Sequence, residues 1–243
     1  MNKKEWIYFI VSVIVLIIVF GFDDGSTTFS GSHWGWNLLE VVLLVIIVYG
    51  AYIFAQKLVA SRHNAHTEYS LWMLGHLRWK TYMQKDNRPR WPVGIVIAVV
   101  LTLLTVGKFY FTALGSSIIK SDKVKRTGRK YTNVSEYESA LILLAGPLAV
   151  AILLFIGNWL YLSGFSVDNL VVISLFVFIW NFVPFPGIDG SKILSYSRPA
   201  YIFALVVFLL AFALKYSGFG LAVLFTILIA LIIMGLYFYK WEK

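Results

Sequence analysis

The stretch Asn181-Phe182-Val183-Pro184-Phe185-Pro186-Gly187-Ile188-Asp189-Gly190 ends a long apolar run with two prolines and holds one carboxylate just beyond them. Proline has no amide hydrogen and drives the residue before it out of helical geometry, so Pro184 and Pro186 stop the preceding helix. Asp189 then lies where hydrocarbon gives way to water. An ionisable group near hydrocarbon is costly, about 2.5–3.5 kcal/mol at the middle of a membrane helix, which makes Asp189 a candidate functional residue. The plainer reading of the same residues is a capping carboxylate in a Pro-Gly turn, paired locally with Lys192.

Outward from this stretch the chain is dominated by apolar residues. Of its 243 residues 59% are hydrophobic, 17% aromatic and only 14% charged. A membrane-crossing helix needs about 20 mainly apolar residues, and the segments near 5–22, 38–60, 139–162, 168–185, 199–214 and 218–239 meet that need. Residues 92–119 are long enough as well, but Gly94, Gly107, Lys108 and Gly115 interrupt them. Charge decides how that run is used, because short cytoplasmic loops carry an excess of Lys and Arg. Lys3 and Lys4 precede the first span, whereas residues 23–37 hold Asp23 and Asp24 and no Lys or Arg, so the N-terminus is read as cytoplasmic. One basic loop carries Arg62, Arg78, Lys80, Lys85, Arg88 and Arg90, and a second carries Lys120, Lys123, Lys125, Arg126, Arg129 and Lys130. Both lie inside only if 92–119 enters and leaves on one side, which leaves Lys215 outside. The expected fold class is an all-α polytopic membrane protein with six transmembrane helices plus a re-entrant or interfacial segment.

The formal charge of +9 then gathers on one face, where anionic headgroups attract each Lys or Arg by about 1 kcal/mol. Lipid accounts for it, and no nucleic acid is called for. The first span lacks a small-residue cleavage pattern and reads as a retained anchor. There is no cysteine, so disulfides, thiol nucleophiles and thiolate metal sites are excluded.

The Asn181–Gly190 string resembles the second motif of the site-2 protease family, intramembrane zinc metalloproteases in which Asn-x-x-Pro-x-Pro-x-x-Asp-Gly supplies the third metal ligand. Asn181, Pro184, Pro186, Asp189 and Gly190 are the matching positions. The first motif of that family, His-Glu-x-x-His, sets two imidazoles on one helix face beside a general base. From Lys57 to Gly75 this chain is similar to archaeal-type members, and that similarity puts Tyr52-Ile53-Phe54-Ala55-Gln56 in the place of the motif. Tyr52 and Gln56 stand for the two His and Ile53 for the Glu. Ala145-Gly146-Pro147-Leu148-Ala149-Val150 resembles the Gly-Pro-x-x-Asn signature at the start of the third core helix, with Val150 in place of Asn. The resemblance implies a single integral membrane domain over 1–243, with a family-like core at 38–195 and a C-terminal helix pair at 199–239.

It also implies a lost activity. Tyr binds zinc rarely, Gln is a poor ligand and Ile relays no proton. The expectation is a catalytically inactive pseudoprotease without a cofactor, in which Tyr52 and Gln56, at i and i+4, hydrogen-bond Asp189. Its partners would be the lipid bilayer and other transmembrane segments. Two alternatives stay open: an atypical zinc metalloprotease, and a structural subunit of a larger membrane complex. His63, His66 and His76 lie among basic residues and read as solvated interfacial side chains; His33 sits in a Trp-rich outer belt. The carboxylates Asp23, Asp24, Asp86, Asp122 and Asp168 all fall in loops, which leaves an intramembrane aspartyl protease without a second acid. Glu40, Glu136 and Glu138 read as first-turn residues of their helices, favoured by the helix dipole.

Overall fold

The apolar runs form helices because a backbone away from water has to satisfy its own N–H and C=O groups. The computed structural model describes residues 2–23, 30–73, 91–122 and 134–212. Within them three helices are long and apolar enough to cross a membrane: α1 (Lys3–Gly21), α2 (Gly31–Arg62) and α4 (Glu136–Leu162). Shorter apolar helices are α3 (Val93–Leu104), α5 (Asp168–Phe182) and α7 (Arg198–Phe212). The short α6 (Asp189–Tyr196) completes the set. Helix α1 buries Leu16, Val19 and Phe20 while Ile7, Ile10, Ile14 and Ile18 stay exposed at helical spacing. Bare isoleucine faces of that length suit lipid rather than water. The chain is a membrane protein.

Side-chain ties between helix ends fix the course of the chain. At one end Lys57 of α2 reaches Glu5 of α1 at 2.5 Å. At the other, the Trp34 indole donates to the Gly21 carbonyl at 3.0 Å and Asn169 donates to Asn37 at 3.1 Å. Tyr201 in the first turn of α7 donates to the Phe182 carbonyl at the end of α5, and Asn158 donates to Ala211. Thus α1, α2, α4, α5 and α7 alternate in direction, and the start of α1 shares an end with the finish of α2 and of α5. The segment expected at 218–239 and residues 74–90 and 123–133 lie outside the described residues.

The all-α expectation needs correcting. Residues Ala65–Leu71 (β1) and Gly115–Ser121 (β2) form an antiparallel two-stranded sheet, with Tyr69 opposite Ser117. Between the strands, α3 descends about 18 Å as helix and residues 108–114 return without it. The turn sits at Val106 and Gly107, both left-handed with φ of 53° and 78°. Gly107 packs against Phe22 and Asp23 at the far end of α1, whereas Gly94, near the start of α3, packs against Ala113 and Leu114. The run 92–119 therefore starts and finishes at the same end of the bundle. Its turn also carries Lys108 to the opposite end, so Lys215 is not the only cation assigned there. The irregular return is tolerated because protein covers it: Phe111, Thr112, Ala113 and Leu114 are all buried.

Two smaller expectations shift as well. Helix α2 starts at Gly31 rather than 38, so Glu40 is an exposed mid-helix residue and not a first-turn one. The Gly146-Pro147 pair lies inside α4 instead of at a helix start. That helix opens on a capping box in which Ser135 accepts from the Glu138 amide and the Glu138 carboxylate accepts from the Ser135 amide; this arrangement satisfies two otherwise orphaned donors.

Candidate functional site

The Asn181–Gly190 stretch builds a rigid platform for one carboxylate. Val183 leaves helical geometry before Pro184. Phe185-Pro186-Gly187-Ile188 then forms a turn closed by the Ile188 amide donating to the Phe185 carbonyl at 3.2 Å, with Gly187 at φ +94°. Proline second and a positive-φ residue third is the type II pattern. Gly190 lies so close to the end of α5 that an added Cβ would sit 2.1 Å from the Phe182 carbonyl oxygen. Asp189, between them, is fully buried as the first residue of α6.

Both oxygens of Asp189 are engaged. One accepts from the Tyr52 hydroxyl at 2.7 Å and from Gln56 Nε2 at 2.9 Å. The other accepts from the Ser117 backbone amide at 2.9 Å, with Lys192 Nζ 3.8 Å away. Tyr52 and Gln56 reach it together because residues four apart share a helix face. Gln56 is satisfied at every polar atom in view: its nitrogen also donates to the Leu143 carbonyl at 3.1 Å, and its oxygen accepts from the Ser117 hydroxyl. Reversing the amide would set oxygen against two acceptors, so its orientation follows from the neighbours.

The Leu143 carbonyl is available for a reason written in the sequence. Pro147, four residues on, has no N–H to give it, so the intrahelical bond at that step is missing. Gly146 makes the room, since a Cβ there would lie 2.8–2.9 Å from Gln56 Nε2 and the Tyr52 ring. The Gly-Pro pair of α4 is thus a notch and an acceptor for Gln56.

Not every candidate joins this cluster. Ile53 is buried in the apolar core. Asn181 is buried and donates to Val177 of its own helix at 2.8 Å, while Pro184 and Pro186 are exposed. His63 lies 3.6 Å from Glu138; His33 is exposed near the start of α2 and His66 is exposed in β1, while His76 falls outside the described residues. Among the described residues no three His, Cys, Asp or Glu side chains gather as a metal site. Sequence reasoning missed Ser117, which supplies a backbone donor and a hydroxyl from a strand that the apolar pattern of 92–119 concealed.

Lys192 also does more than pair with its neighbour. Its ammonium donates to Ser116 Oγ at 2.9 Å and to the Ser117 carbonyl at 2.8 Å. Burial pulls its pKa down, and Asp189 partly opposes that pull. Beside it opens a cleft of about 430 Å³ lined by Ser117, Ile119, Ser121, Ser139, Lys192 and Tyr196, among others. In an antiparallel pair alternate residues turn their N–H and C=O outward. Ser117 faces Asp189 and Lys192 in this way, so Ile119 and Ser121, which also line the cleft, turn theirs outward too.

No family model, curated protein or solved structure matches this chain.

Proposed function

We propose that this chain is a catalytically inactive relative of site-2 proteases that binds an extended segment of another membrane protein along β2. The observation that carries this reading is the full engagement of Asp189 by a phenol, an amide and a backbone N–H. Zinc, the ion the resemblance implies, does not fit such a set. Tyr52 and Gln56 present hydrogens to the carboxylate rather than lone pairs to a cation, and Ile53 has no proton to move. What remains is a cleft lined in part by Ile119 and Ser121, whose outward N–H and C=O groups form a pattern of donors and acceptors that another extended backbone matches.

In this reading the alternating helices cross the bilayer six times, residues 218–239 supplying the last crossing, and the N-terminus, the sheet and the cleft lie at the cytoplasmic face. A cysteine placed at Ser121 in this cysteine-free chain reports the side directly, and external labelling would refute it.

The experiment for function combines metal analysis of the purified full chain with photo-crosslinking from a reactive residue at Tyr196. Crosslinks to one partner's extended segment, with no stoichiometric metal, are the expected result. Zinc at one per chain that disappears in Asp189→Ala would return the chain to the metalloproteases. Partners whose contacts avoid the cleft would make it a structural subunit.

A further inference from the structure

We infer that Asp189 and Lys192 form a plug on the outer edge of β2, an autoinhibitory contact that occupies the backbone groups a third strand would use at Ser117. Its functional meaning rests on the docking reading above. The plug is built from two side chains one helical turn apart, so α6 presents both on one face. The carboxylate takes the Ser117 N–H and the ammonium takes the Ser117 carbonyl. Together they imitate the donor and acceptor of a neighbouring strand. Past Ser117 the imitation stops, and the wall of the cleft continues as Ile119 and Ser121.

The two halves of the plug differ in how readily they yield. Asp189 is wholly buried and retains Tyr52 and Gln56 whatever happens at Ser117. The Lys192 side chain keeps 27% of its surface exposed and is long enough to swing into solvent. An incoming strand therefore displaces the ammonium first, its own N–H replacing Lys192 at the Ser117 carbonyl. The cleft admits a short segment at Ile119 and Ser121 and a longer one only after Lys192 leaves.

The test uses the full chain in lipid nanodiscs and a synthetic Val-Thr repeat octapeptide carrying a photoreactive group. Lys192→Met is expected to raise crosslinking onto β2 by about tenfold over the unaltered chain, and Lys192→Arg to return it to the original yield. Equal and strong labelling of the unaltered chain and Lys192→Met overturns the plug while leaving docking intact. Labelling of neither overturns docking of this kind of segment. Amide exchange then decides the plug without peptide: Ser117 N–H, capped, is expected to exchange about tenfold more slowly than Ile119 N–H, which faces the cleft. Equal exchange at the two amides overturns the plug. Thermal unfolding of Lys192→Met beside the unaltered chain checks that the variant is folded.

Discussion

Tyr69 and Ser117 face each other across the two-stranded sheet, and each gives its outward N–H to a buried carboxylate. Tyr69 donates to Glu5 at 3.1 Å and Ser117 to Asp189 at 2.9 Å. An ammonium completes each edge: Lys57 reaches the Thr67 carbonyl at 2.9 Å and Lys192 the Ser117 carbonyl at 2.8 Å. A two-stranded sheet has two open edges and is marginal alone. Here one acid–base pair closes each edge, the two carboxylates at the same rung and Lys57 one rung pair along at Thr67, opposite Ile119, which is how so small a sheet is held among helices.

Breaking the Glu5–Lys57 pair should unseat the sheet. Glu5→Ala leaves the Tyr69 amide without its acceptor and the Lys57 ammonium with only the Thr67 carbonyl, and removing one partner of a buried pair costs about 3–5 kcal/mol. Exposure of Lys57 and the membrane setting place the expected loss near the lower figure. Glu5→Leu combined with Lys57→Met should recover part of it. Equal thermal midpoints for Glu5→Ala and the unaltered chain in detergent would count against this clamp.

At the Asp189 cluster the ranking of variants is the test. Tyr52→Phe removes one of several donors to a carboxylate and is expected to cost about 1–3 kcal/mol. Gln56→Leu should cost more, because it strands the Leu143 carbonyl and the Ser117 hydroxyl as well. Denaturant unfolding in a fixed detergent reads the order, and a Gln56→Leu protein as stable as Tyr52→Phe would contradict the network described above.

Gly146→Ala sets two effects in opposition. Alanine gains about 1 kcal/mol of helix propensity over glycine. Against that, the new methyl sits 2.8–2.9 Å from Gln56 and Tyr52, both pinned by Asp189, and such overpacking costs about 1–3 kcal/mol. The clash should win, giving a net loss that Gln56→Ala, by emptying the notch, lessens. Unfolding of the two singles and the double measures the coupling.

At the turn, Gly187→Ala puts a side chain at φ +94° and within 2.8 Å of the Trp72 indole. The backbone penalty alone is about 1–2 kcal/mol. The variant should unfold at lower temperature, and thermal unfolding beside the unaltered chain checks it.

Acid should loosen the sheet before it loosens the helices. Glu68 accepts from Lys120 at 2.6 Å, and that bond holds its pKa below the ordinary 4.5. A lowered folded value means the contribution is fully present above 4.5 and is lost as pH falls through the depressed value. Lys192 acts at the alkaline end. Its folded pKa lies below 10.5 because it is buried, so the unfolded chain holds the proton longer and stability rises as pH climbs through the lowered value toward 10.5. A pH series of strand-amide exchange checks the first, and Glu68→Gln should flatten its acid limb.

The sequence carried the apolar spans, the helix stop at Pro184 and the i, i+4 spacing of Tyr52 and Gln56, because these are local properties of composition, proline chemistry and helical periodicity. It also carries a strand signal: Ala65, Thr67, Tyr69 and Leu71 alternate with His66, Glu68 and Ser70, the residues that the fold buries and exposes in turn, a period of two set among basic residues. The partner strand Gly115-Ser116-Ser117-Ile118-Ile119-Lys120-Ser121 shows no such alternation, so its pairing was not legible.

What the chain alone determined is that one carboxylate is placed at the end of an apolar helix and that a phenol and an amide can face it from another. What only the tertiary structure decided is the company that carboxylate keeps: a strand amide 72 residues away, a carbonyl freed by Pro147, and a second acid–base pair on the far side of the same sheet. Those partners are fixed by packing between segments distant in sequence, and no local pattern encodes them.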